Sequence, residues 1–482
     1  MALVGAGVGP SARGGLTPLS WAAKGGHEAV VQMLLERDDV NPNIADRHGE
    51  TPLLIATRGG YEGVVSLLLE RNDVNPSIAD RYGETPLLIA ACKGHQEVVK
   101  VLLGCNNVNP NIRDRYGKTP LYRAACKGRE GVVKILLERK NVNRNTAGPG
   151  GRTPLFIAAC EGHGGVVKML LECDDVNPNT AENSGDTPLH RAVWGGREGI
   201  VKMLLERNDV DYNTPVYFGH TPLLIAAGEG HEGIVKMLLE RNDINPNTAE
   251  SGHTPLFYAA LAGRQGVVKM LLERNDVNCN IADREGQTPL LIAVCKRCEG
   301  VVKMLLERND ISPDTANRQG QTPLFIAAWD GHVGIVKMLL NRNDVNPNTP
   351  ESGGKTPLFM AAWEGREAVV KMLLERWDVN PDSANRFDIT PLIAAASKGH
   401  ESVVKMLLGQ AEANSDITDM VGKTAHSEAL QRGYPGILKH PVILKLLSEH
   451  KKLLPPSAGD ESTAPLSEEL YWTYLRPPKR FY

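Results

Sequence analysis

An all-helical stack of small repeats is what these 482 residues encode, and three observations carry that reading. The first is a period. Thr-Pro recurs at Thr17, Thr51, Thr85, Thr119, Thr153, Thr187, Thr221, Thr254, Thr288, Thr322, Thr356 and Thr390, in steps of 34 residues except for one of 33 after Thr221. A damaged thirteenth copy opens at Thr424, where Ala425 stands in for the proline. The second is size: one period lies below the ~40 residues at which a chain usually buries a core unaided, so each copy must use its neighbours. The third is patterning, because apolar residues recur at helical spacing within each copy and no Pro/Gly/Ser-rich linker interrupts the copies. These features predict an all-α solenoid of twelve repeats plus a degenerate C-terminal cap over 15–450, between a leader at 1–14 and a tail at 451–482.

The elements follow in order within the copy at 219–247. Thr221 is placed to cap a helix through its hydroxyl, and Pro222 suits the first turn, where its missing N–H is not needed. Leu223, Ile225, Ala226 and Ala227 form a short first helix whose alanines permit close approach. Gly230 ends it at positive φ. Ile234, Val235, Leu238 and Leu239 make the apolar stripe of a second helix, with Lys236, Glu240 and Arg241 on its solvated side. Asn242 is expected as a left-handed cap. The next segment is expected to run extended into a β-hairpin-like finger between helix pairs.

Bulk properties narrow the function. A formal charge of −3 gives no pull toward nucleic acid or an anionic membrane, and no apolar run approaches the ~20 residues that span a bilayer. The N-terminus has no basic flank followed by an apolar core, so the expected compartment is the cytoplasm, with the nucleus compatible. Cys92, Cys126, Cys160 and Cys295 hold one place in their copies, too far apart for disulfides, and read as reduced thiols. Cys295 and Cys298 form half of a metal or redox motif without a second half. The histidines at the helix–helix turn, His95 and His231 among them, stand one repeat or more apart and read as single structural hydrogen-bonding groups. No nucleophile with its base, paired carboxylates or phosphate loop is visible. The expectation is therefore no catalytic residue, no metal and no cofactor.

The recurring string Gly-x-Thr-Pro-Leu…Ala-Ala…Gly-His-x-x-Val-Val…Leu-Leu…Val-Asn resembles the ankyrin repeat over about nine tenths of the chain. There are departures. Where that family commonly has Gly-Ala-Asp-Val-Asn, this chain has Arg-Asn-Asp-Val-Asn, and such arrays resemble those of fungal ankyrin proteins, including the sensor arms of NACHT-type NTPases. The family's Thr-Pro-Leu-His survives only at His190; Leu54, Leu88, Tyr122, Phe156, Phe257 and Phe325 take its place elsewhere. Arg297 and Cys298 replace the Gly-His turn in the ninth copy, where a non-glycine residue at positive φ costs about 1–2 kcal/mol and predicts a weak joint.

The resemblance implies a monomeric scaffold or adaptor that binds a protein partner along the concave side, through finger tips and first helices. The positions that vary most between copies there are the candidate contacts: Lys24, Arg58, Lys93, Tyr116, Arg123, Lys127, Trp194, Tyr217, Phe218, Trp329, Asp330, Trp363 and Glu364. Trp194, Trp329 and Trp363 are expected to be exposed anchors. Cations lie early in the series and acids late, with Asp46, Asp80 and Asp114 placed to neutralise part of the difference. Two other readings follow from resemblance: a sensor arm of a NACHT-type receptor, or a ubiquitin-ligase substrate receptor. The latter rests on Pro465-Leu466…Leu470…Tyr474-Leu475, which resembles the end of a SOCS box.

Overall fold

The computed structural model describes residues 15–216, 219–249, 252–410 and 414–439. The leader, the tail, Tyr217 and Phe218 lie outside the described residues. Among the described residues are 26 α-helices in pairs, from Pro18–Gly25 and Glu28–Leu35 to Ala425–Arg432 and Pro435–Leu438, one short 3₁₀ turn at Pro149–Gly151, and no β-strand. The chain divides into two compact units, residues 1–352 with ten helix pairs and residues 353–482 with three.

Each pair is built as its sequence predicts. In Pro222–Glu229 the extended Thr221 (φ −84°, ψ 159°) accepts the Leu224 N–H on its hydroxyl at 3.3 Å, and Pro222 fills the first turn. This cap, worth about 1 kcal/mol, is absent only at Thr85 among the thirteen copies. Gly230 closes the helix at φ 83°. Ala226, Ala227, Ile234, Val235 and Leu238 are fully buried, and buried equivalents recur within each unit. Leu239 departs from expectation, being half-buried beside the fully buried Leu238.

The end of the second helix also differs from the sequence reading. Asn242 is not left-handed; the non-glycine residues at positive φ among the described residues are Arg297 (60°) and Asp388 (56°). Helix Glu232–Leu239 instead passes through a right-handed Glu240, and its Leu239 carbonyl accepts Arg274 Nη1 from the next copy at 2.9 Å. Arg274 simultaneously grips Asp276 with Nε and Nη2 at 2.9 and 2.6 Å. The same fork recurs at Arg71, Arg207, Arg308 and Arg342, each on the aspartate two residues on and on a helix-terminal leucine carbonyl of the copy before. This explains the Arg-Asn-Asp string: a cation satisfies orphan carbonyls at the negative end of the neighbouring helix.

A second ladder runs beside it. Asn179 Nδ2 donates to the Asp209 carbonyl at 2.6 Å while its Oδ1 accepts the Asp211 N–H at 2.9 Å. Asn43, Asn111, Asn145, Asn247 and Asn280 bridge their neighbours in the same way.

The fingers are turns rather than strands. Asp80 Oδ1 accepts the N–H groups of Tyr82 and Glu84 at 2.8 and 2.9 Å, which folds the tip around the carboxylate beside two backbone bonds, Asp80 N–H to the Glu84 carbonyl at 3.1 Å and Gly83 N–H to the Asp80 carbonyl at 2.9 Å. Successive tips are joined by single bonds, Arg81 N–H to the His48 carbonyl and Arg115 N–H to the Tyr82 carbonyl, both 3.2 Å.

Candidate functional site

Three positions of each first helix lie on one face beside the fingers: the fourth, seventh and eighth residues after the capping threonine. The structure sorts the predicted contacts on this face into three groups. Lys24, Lys93 and Lys127 are exposed, as are Tyr116 (60%) and Trp194 (40%).

Arg58 and Arg123 are not available cations. Arg58 lies 2.7 Å from Glu50 and 3.3 Å from the buried Asp80. Arg123 pairs with Glu84 at 2.6 Å and with the fully buried Asp114. Both arginines fasten first helices to finger bases, and the sign change along the series is reduced accordingly.

Trp329 and Trp363 correct the expectation of exposed anchors, being only 8% and 6% exposed. Trp329 meets Phe325 edge-on with ring centroids 6.3 Å apart. In the second unit, Trp363 stacks on Phe359 at 6.3 Å and lies under the Lys398 ammonium at 4.2 Å. The side chain four residues earlier is a phenylalanine in both copies, and it covers the indole. In the sixth copy that residue is His190, and the slot beside Trp194 in the next copy is Gly228, so Trp194 keeps an open face. Asp330 is largely buried, 3.8 Å from Arg297 and 3.5 Å from His332; Glu364 is half-buried. Tyr217 and Phe218 lie outside the described residues.

His190 itself is fully buried, with Nδ1 2.8 Å from the Thr187 hydroxyl, and burial pushes its pKa down to about 4. Two turn histidines act as anticipated, His163 and His400 reaching back to the carbonyls of Cys126 and Trp363 at 3.2 and 3.0 Å, whereas the buried Nε2 atoms of His95 and His231 find no hydrogen-bond partner among the described residues. They pack over the turn of the copy before. A Cβ on Gly196 would stand 2.8 Å from the His231 ring, so glycine is required there for contact as well as for its φ of 62°. Arg297 occupies this turn position in the ninth copy at φ 60°, as its sequence predicts.

All eight cysteines are free thiols. Burial raises the pKa of Cys126 and Cys298 and takes Cys295 to about 11, which disfavours the nucleophilic thiolate. Among the described residues no group of three or more His, Cys, Asp or Glu side chains is arranged to hold a metal, and no helix is long and apolar enough to cross a membrane.

Sequence reasoning missed Trp21, which is 51% exposed at a position where Ile55, Ile89 and Ile157 are buried. It lines a groove of about 510 Å³ with Lys24, Arg47, His48, Ile55 and Arg58. The signal was present: tryptophan replaces isoleucine at this place only in the first copy. Also missed was Trp377, 96% exposed in an Arg-Trp-Asp variant of the fork.

Helix pairs of this length, capped by Thr-Pro, closed by glycine and joined through turn-like fingers, define a repeat protein of the helix–turn–helix solenoid class. Family models for ankyrin repeats match residues 2–80, 72–147, 139–216, 208–283, 275–350 and 309–385, and a further ankyrin model matches 364–408. The chain belongs to the ankyrin-repeat family, whose repeats generally mediate protein–protein interaction. No curated protein matches the sequence.

Proposed function

We propose that this protein is a binding scaffold or adaptor without chemistry of its own, and that it holds a protein partner against the face formed by first helices and fingers. The observation that carries this is Trp194. It is an indole 40% exposed on a face where its counterparts Trp329 and Trp363 are covered, and exposed tryptophan is a favoured interface anchor. The opposite side, formed by second helices, presents the regularly spaced Lys168, Lys202 and Lys236, with no large aromatic beside them. Eight free thiols fit a reducing compartment such as the cytoplasm.

A photo-reactive amino acid placed at position 194, and separately at position 236, tests the assignment in cells. Adducts of one defined partner from position 194 and none from 236 are expected. Adducts formed only from 236 would overturn the face.

A further inference from the structure

The first three fingers carry in succession an arginine followed by an aromatic ring, a pair that returns among the later fingers only at Arg386-Phe387. Their tips read Arg47-His48, Arg81-Tyr82 and Arg115-Tyr116, and the three arginines are exposed. Single backbone hydrogen bonds between neighbouring tips fix these pairs in register. Lys24, Lys93 and Lys127 stand exposed on the adjoining first helices.

The acids that could neutralise this strip are already committed. Asp80 and Asp114 are buried and fold their own tips. Glu50 and Glu84 pair with Arg58 and Arg123. Asp46 accepts the backbone N–H groups of His48 and Glu50, both at 2.8 Å. Among the described residues none of these six cations forms an ion pair, and with Arg58 and Arg123 the strip holds eight cations against the five carboxylates Asp46, Glu50, Asp80, Glu84 and Asp114, a local excess of positive charge in a chain of formal charge −3.

The aromatic rings between them carry cations on their faces. The Arg81 guanidinium lies 4.9 Å from the Tyr82 ring centroid, Lys118 Nζ 5.7 Å from Tyr116, and Lys24 Nζ 5.2 Å from Trp21. Each of these cations takes one ring face from the stacking contact by which proteins hold single strands. A cation resting on a ring is instead held in place for a carboxylate, so less side-chain freedom is lost when the charge-assisted bond forms. The strip also ends at a groove of about 510 Å³ lined by Leu16, Trp21 and Ile55 together with charged side chains, among them Lys24, Arg47 and Arg58, a volume that admits one apolar side chain against Trp21.

We infer that copies one to four bind an extended acidic segment of a partner protein, with carboxylates along Arg47, Arg81 and Arg115 and one apolar side chain between Trp21 and Ile55. This rests on the first-helix and finger face being the binding face, and it names the chemistry recognised at one end of that face.

The test uses the full chain and two fluorescent probes of equal charge: a synthetic peptide of eight glutamates around one central leucine, and an eight-phosphate oligothymidylate. Anisotropy at low salt should show the peptide binding more tightly than the oligonucleotide, and weakening as salt screens the contacts. The triple reversal R47E/R81E/R115E should weaken peptide binding at least tenfold with unchanged circular dichroism, while K236E should change it less than twofold. Trp21→Ala should remove the advantage of the leucine peptide over an all-glutamate one. Absence of peptide binding, tighter binding of the oligonucleotide, or insensitivity to the triple reversal would each overturn the inference. The photo-crosslinks from position 194 separate this from the broader reading: a partner captured there by a chain that ignores the peptide leaves the binding face standing and removes only the acidic segment.

Discussion

Replacing Arg274 with alanine isolates the fork that joins one copy to the next. The guanidinium gives the Leu239 carbonyl its 2.9 Å bond and holds Asp276 through two more. A hydrogen bond to a charged group contributes about 1.5–3 kcal/mol, and solvent screening at a side chain 25% exposed reduces this to about 1–2 kcal/mol. Asp276, 53% exposed, is rehydrated and adds little. The loss should be local, because each copy touches only its neighbours. Native-state hydrogen exchange is the suitable assay, since 1.4 kcal/mol is a tenfold change in the opening equilibrium. Amides at the end of Glu232–Leu239 should exchange about tenfold faster in Arg274→Ala, whereas those of Pro120–Cys126 should not change. Arg274→Lys should recover less than half, because an ammonium cannot span carbonyl and carboxylate as a planar fork does. Exchange no faster than in Lys236→Ala would refute the coupling role.

Three further outcomes follow from single residues. His190 is held neutral with its pKa near 4, below the ordinary 6.5, so the unfolded chain binds more protons between these values and stability falls as pH drops through that window. The loss should be about 2 kcal/mol at pH 5, and denaturant titrations of His190→Leu, which installs the residue found at Leu224, should show it abolished. Arg297→Gly relieves a strained φ worth about 1–2 kcal/mol, offset by about 0.4–1 kcal/mol of added freedom in the unfolded chain, so exchange over 293–299 should slow by up to about fifteenfold. Leu238→Ala removes a fully buried side chain and should cost about 2–5 kcal/mol in denaturant unfolding, against less for the half-buried Leu239→Ala.

The helix pairs were legible because their causes are local: Thr221 caps its own helix, Gly230 ends it, and Val235 and Leu238 share one stripe. Arg297 was legible for the same reason, since a turn that needs positive φ is strained by any side chain. The Arg274 fork and the Asn179 ladder were not recognised because their partners lie about one period away, and only the fold shows which atoms meet. Asn242 was misread for that reason, as the carbonyl it was expected to protect is served by the next copy. At the site, the slot of Trp194, Trp329 and Trp363 was identified, but exposure depends on the side chain four residues earlier and on the neighbouring copy. A phenylalanine covers two of the indoles, while His190 and Gly228 leave the third open.

Hydrogen exchange of the full chain, with and without a partner captured at position 194, tests the binding face most directly. Protection should appear in Pro188–Trp194 and in finger amides such as Gly83 and Gly117, with the second helices Glu198–Leu205 and Glu232–Leu239 unchanged. Protection confined to those second helices, with the fingers unchanged, would contradict the account.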